Sequence, residues 1–98
     1  MVVDLQESRK QIDEIDRQIV ELFEKRMDVA ANVADYKIAT GKAVFDKERE
    51  EQKIDTLRHL AHSDFNNKCV AEIFTLFIAM SRKFQYSNLE MRKSDSRL

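Results

Sequence analysis

Arg26 and Lys37 lie eleven residues apart in a stretch, residues 4–40, that contains neither Gly nor Pro. On a helix, eleven residues turn through about 1100°, so the two cations fall within roughly 20° of one line, about 16 Å apart along the axis. Two long basic side chains leaning toward each other from such positions can bracket a small anion of a few rings or carboxylates. Asp46, Arg49 and Glu50 follow at i, i+3 and i+4, which puts them on one face at the start of another helix. Ser81 and Gln85 are four apart, on or beside an apolar stripe. Each set has a plainer explanation. Basic pairs decorate helix surfaces, acids cap helix starts, and polar residues on apolar faces satisfy one another or the backbone. Arg26 resists that explanation because it occupies an apolar seam, where a guanidinium is costly to desolvate unless an anion meets it. Either an internal carboxylate or a ligand should meet it, and three such departures on three helices are harder to dismiss together. The chain shows no metal-ligand cluster, nucleophile–base arrangement or phosphate-binding glycine loop.

The elements that must position these residues can be read from periodicity. Leu5, Ser8, Ile12, Ile15, Ile19, Leu22, Arg26, Val29, Val33 and Tyr36 keep a 3,4 spacing, one seam of a single long helix over residues 4–40. Asp4 is its expected N-cap, Glu7 the capping-box partner, and Gly41, the only glycine, its stop. Residues 41–45 form a short connection. Asp46 is the expected cap of a second, shorter helix over 46–62, with an apolar face of Ile54, Leu57, Leu60 and Ala61. Turn chemistry at 63–67 leads to a third helix over 67–89, with the stripe Val70, Ile73, Phe74, Phe77, Ile78, Ser81 and Phe84. Residues 90–98 lose the periodicity and are expected to fray. The expected fold is all-α: three helices, one long, one short and one medium, in a single domain over 1–98.

Composition supports that fold class and narrows the partners. With 98 residues, no proline, 43% hydrophobic and 36% charged residues, there is too little turn chemistry for sheets. The net charge of −1 offers no broad field for a nucleic-acid backbone. No apolar run is long enough for a membrane span, no signal peptide is visible, and Cys69, the only cysteine, cannot form an intrachain disulfide. A cytoplasmic protein with no nucleic-acid or membrane partner is expected, with Cys69 a buried small hydrophobe among Val70, Ile73 and Phe74. A helix over 4–40 is roughly 55 Å long, more than the other two helices can cover. Its seam is expected to pair with a second copy, giving a homodimer.

The pattern Arg9-x-x-Ile12-x-x-Ile15-Asp16, Leu22-x-x-x-Arg26, Val33-x-x-x-Lys37, Val44-x-Asp46-x-x-Arg49-Glu50 and Ser81-x-x-x-Gln85 resembles the all-helical chorismate mutases over about residues 5–85. No single pair is specific; eight polar positions in this order and spacing are. The size resembles the small, monofunctional members of that family. The resemblance implies an intertwined homodimer of three-helix chains that converts chorismate to prephenate, in phenylalanine and tyrosine biosynthesis, without metal or cofactor. Each site would draw Arg26, Lys37, Asp46, Arg49, Glu50, Ser81 and Gln85 from one chain and Arg9 from the other.

By the same resemblance, Arg26 and the partner's Arg9 would clamp the two substrate carboxylates, with Ser81 and Arg49 assisting. Lys37 and Gln85 would donate to the ether oxygen, and Glu50, with the region at Asp46, would receive the substrate hydroxyl. Some fungal relatives carry a glutamate where this chain has Gln85. Geometry favours the borrowed arginine independently. Arg9 and Arg26 are about 25 Å apart on one straight helix, too far for one small ligand to touch both. Antiparallel pairing that brings Arg9 of one chain level with Arg26 of the other puts the twofold axis near Arg17 and Gln18. Two other functions suit the same scaffold: an isochorismate-pyruvate lyase, and a non-catalytic helical dimerisation or regulatory module.

Overall fold

An unbroken run of helix-compatible residues, capped at both ends, gives α1, Leu5–Thr40. The Asp4 carboxylate accepts from the backbone N–H groups of Gln6 and Glu7, satisfying two of the donors that a helix start leaves open. At the other end Gly41 takes φ 71°, and its N–H and that of Lys42 both bond to the Lys37 carbonyl. A left-handed residue at this point closes the last turn at little steric cost only if it is glycine. The computed structural model describes residues 4–96, with side chains described through residue 91.

Asp46 caps α2, Lys47–Arg58, its carboxylate accepting from the Arg49 N–H at 3.1 Å. α3 runs Asp64–Ser96. Among the described residues there is no strand, and the chain is all-α as its composition requires. Two helix boundaries differ from those expected. α2 stops at Arg58 instead of continuing to residue 62, because tight turns take over: the N–H groups of Leu60 and Ala61 bond three residues back, to Leu57 and Arg58. α3 begins at Asp64 instead of Asn67. Ser63 caps it, its hydroxyl accepting from the Asn66 N–H and its carbonyl from that of Asn67. Asn67 is used differently, as the acceptor for Arg58 Nε at 2.7 Å, which ties the end of α2 to the start of α3.

α3 also ends later than expected, continuing past residue 89 to Ser96. No Gly or Pro interrupts that stretch, and Leu, Glu, Met, Arg and Lys are strong helix formers, so loss of apolar periodicity there does not end the helix. Residues 97 and 98 of the expected tail lie outside the described residues.

α3 is the shared wall: it packs against both α1 and α2. An aromatic group seals the α1–α3 contact, with the Phe23 and Phe77 rings 5.5 Å apart and Phe74 edge-on to Phe77 at 5.5 Å. Small residues let the helices approach, and Ala30 and Ala34 are buried there, with Ile78 opposite. The α1 face turned to α3 is therefore offset from the long apolar seam. Ile12, Ile15, Ile19, Leu22 and Val29 on that seam remain about half exposed or more. The chain measures 66 × 28 × 14 Å, so a thin core supports a long free edge.

Candidate active site

Where α1, α2 and α3 converge, a cavity of about 310 Å³ opens, within the range that holds small ligands. Arg26, Lys37, Asp46, Arg49, Glu50, Ser81 and Gln85 all line it, so seven of the eight expected site residues meet in one place. Each helix contributes by its own register. On α1, the eleven-residue interval brings Arg26 and Lys37 to the same wall; on α2, the first turn presents Arg49 and Glu50 behind the Asp46 cap; on α3, the four-residue step aligns Ser81 with Gln85. Val29, Ala30, Val33, Val44 and Ile78 supply the apolar part of the lining. Arg9 does not line the cavity; it is an exposed residue near the other end of α1.

The seam arginine has a partner in its own chain. Arg26 Nη1 donates to Ser81 Oγ, and the serine hydroxyl donates in turn to the Phe77 carbonyl at 3.0 Å. This relay holds one edge of the guanidinium against α3 and leaves its other N–H groups available to an anion. Lys37 Nζ donates to the Val44 carbonyl at 2.8 Å, fastening the connection between α1 and α2 and fixing the entry into α2. An ammonium has three donors, so two remain after this bond. Asp46 serves first as a helix cap and borders the cavity from that position.

Among the described residues, Ser81 and Gln85 are the two buried polar side chains, 6% and 8% exposed. Gln85 Oε1 is buried with no hydrogen-bond partner. Leaving a buried amide group unpaired costs about 1–3 kcal/mol, which sets this side chain apart from Ser81, whose hydroxyl is engaged within the protein. The cavity wall carries five basic residues, Arg26, Lys37, Arg49, Lys53 and Arg82, against two acidic ones, Asp46 and Glu50. On a chain whose net charge is −1, that local excess of cations favours a ligand with more than one negative charge. Among the described residues, no group of three or more His, Cys, Asp or Glu side chains is placed to hold a metal ion.

Lys53 and Arg82 are lining residues that sequence reasoning did not identify. Arg82 Nη1 pairs with Glu50 Oε1, and its guanidinium lies over the Phe45 ring, 4.6 Å from the centroid. The available signals were spacing alone: Arg82 is three residues from Gln85, and Lys53 is three from Glu50. Flanking basic residues at such intervals are common on solvated helix faces, and their role appears only once α2 and α3 are packed together.

A family profile described as chorismate mutase type II matches residues 8–86. The chain is 34% identical over 91 residues to the chorismate mutase of Methanocaldococcus jannaschii, covering 92% of each chain. It is 31% identical over 96 residues to the bifunctional chorismate mutase/prephenate dehydratase of Buchnera aphidicola subsp. Schizaphis graminum, covering 97% of this chain and 25% of that one. No solved structure matches the chain.

Proposed function

The chain belongs to the chorismate mutase type II family, and from that premise we propose that it rearranges chorismate to prephenate in the α1–α2–α3 cavity, each site completed by Arg9 of the partner subunit. The observation that carries this is the convergence of Arg26, Lys37, Asp46, Arg49, Glu50, Ser81 and Gln85 on one cation-rich cavity. The enzyme is an isomerase. Its reaction is an intramolecular Claisen rearrangement: the ether C–O bond breaks as a C–C bond forms, with no group transferred to or from the protein. Catalysis then consists of holding a flexible dianion in its compact conformer and stabilising negative charge as it grows on the ether oxygen.

Arg26, already oriented by Ser81, clamps one carboxylate in bidentate fashion, and the partner's Arg9 clamps the other. Arg49 adds charge beside them. Lys37 and Gln85 donate to the ether oxygen. An amide donates through its nitrogen, which is the group assigned to the ether oxygen; the unpartnered Gln85 oxygen is an acceptor and is not paired by that bond. Glu50, beside Asp46, accepts from the substrate hydroxyl.

Dimerisation is supported by how much of the chain one copy leaves uncovered. The accessible surface is 8261 Å², whereas a folded monomer of this mass exposes about 5,800 Å². The difference is of the size that obligate interfaces bury. Many of the exposed large apolar side chains lie along the α1 seam, and antiparallel pairing along that seam would bring a second copy's N-terminal half toward the cavity. Work on chorismate in aromatic amino acid biosynthesis also fits a cytoplasmic protein, and among the described residues no helix is long and apolar enough to cross a membrane.

The test is loss of chorismate absorbance with purified protein and no added metal or cofactor. The wild-type chain is expected to consume chorismate and yield prephenate. Lys37→Ala is expected to lower kcat by about 10²–10³ while remaining helical by circular dichroism, as loss of one preorganised donor does. Chorismate loss no faster than background in the wild type, or wild-type turnover in Lys37→Ala, contradicts the proposal.

A further inference from the structure

We infer that Arg82 is a positioning residue of this site, acting through Glu50. Glu50 projects from the first turn of α2, and nothing on its own helix fixes the carboxylate; the bond that does so comes across the cavity wall, from Arg82 Nη1 on α3 to Glu50 Oε1. Both side chains are largely withdrawn from solvent, 30% and 21% exposed, which separates this pair from the surface pairs Arg17–Glu14 and Lys47–Glu51, all of whose side chains are more than half exposed. The guanidinium is itself held, lying over the Phe45 ring at 4.6 Å, in the segment that Lys37 fastens through Val44. A planar cation stacked on a ring and donating edge-on to a carboxylate has little freedom left, so it fixes the orientation of its acceptor.

With Oε1 engaged by Arg82, Oε2 is the Glu50 oxygen left to accept from a ligand in the cavity that Glu50 lines. A carboxylate held this way is acceptor-only, suited to a ligand hydroxyl and repelled by a ligand carboxylate at the same point. Arg82 thereby selects which end of the substrate meets α2. Mispositioned Glu50 allows the substrate's polar groups to enter in other orientations, and the loss appears as weaker productive binding.

This inference rests on the proposed mutase activity, and a double-mutant cycle separates the two. Steady-state kinetics on chorismate are measured for wild type, Arg82→Met, Arg82→Lys, Glu50→Gln and the Arg82→Met/Glu50→Gln double variant, with circular dichroism to establish the folded fraction. Arg82→Met keeps a helix-forming side chain against Phe45 and removes the charge. Its kcat/KM is expected to fall about 10- to 100-fold, mainly through KM, the worth of one hydrogen bond to a charged group. Arg82→Lys, which keeps the charge without the planar fork, is expected to recover part of that loss. In the Glu50→Gln background, Arg82→Met is expected to change kcat/KM less than about threefold, because its route to the substrate is already gone. Unchanged kinetics in Arg82→Met overturn the inference. So does an undiminished effect in the Glu50→Gln background, which places Arg82 on the substrate itself. An inactive wild type instead defeats the functional proposal.

Discussion

Gln85 is the side chain whose chemistry is most exposed to test. It is 8% solvent-exposed, with an amide oxygen that finds no partner in the chain, in a cavity where a donor to the ether oxygen is proposed. An amide donates at any ordinary pH, whereas a carboxyl group donates only while protonated. In Gln85→Glu the active form is the neutral acid, the only form of that carboxyl able to donate. Activity is then present below the carboxyl's pKa and lost as pH rises through it. The expected outcome is a pH–kcat profile that is nearly flat through neutrality for the wild type and displaced toward acid for Gln85→Glu; an unchanged profile removes Gln85 from the ether oxygen. Arg26, Ser81 and Gln85 were legible from sequence because they violate local rules, whereas Arg9, Lys37, Asp46, Arg49 and Glu50 were picked out by spacing and the family pattern. Arg26 sits among apolar residues, and Ser81 and Gln85 interrupt an apolar stripe. Arg82 and Lys53 violate nothing on their own helices, so only the packing of α3 against α2 distinguishes them from ordinary surface cations.

The elements are positioned by their ends as much as by their faces. α1 was legible almost to the residue because an N-cap aspartate and a single glycine bracket an uninterrupted helical run. α2 and α3 were less so. The short 58–64 turn holds polar residues compatible with either helix, and the bonds from Ser63 and to Asn67 that settle the boundaries depend on where Arg58 arrives. Gly41 carries the turn that lets the Lys37–Val44 bond form. Nothing lies within 4 Å of a Cβ built there, so the cost of substitution is conformational, φ being 71°, and not steric crowding from neighbours. Gly41→Ala is expected to destabilise the protein by about 1–2 kcal/mol, read as a lower urea midpoint at matched protein concentration. An unshifted midpoint shows that the connection adapts without the left-handed residue.

At the scale of the whole molecule, a chain 66 Å long and 14 Å thick has a radius of gyration of 17.9 Å, against about 13 Å for a compact domain of this length. The seam read from the sequence as dimer-forming is the surface that stays uncovered in the single chain, and the one expected site residue absent from the cavity, Arg9, lies on the same helix. Periodicity identified only an unpartnered face; the expected antiparallel register, with its axis near Arg17 and Gln18, came from the family resemblance and the spacing of Arg9 and Arg26 along one helix. The central claim is that one helix builds its own site and lends an arginine to its twin. On that claim, Arg9→Ala and Lys37→Ala would each damage every site in their own homodimers, whereas in a mixed dimer both lesions would fall in one site and leave the other intact. Unfolding the two inactive variants together and refolding them is expected to restore about a quarter of wild-type activity per chain, from random pairing into a twofold dimer. A refolded mixture no more active than the separately refolded variants, beside a wild-type control that recovers fully, contradicts a site shared between two chains.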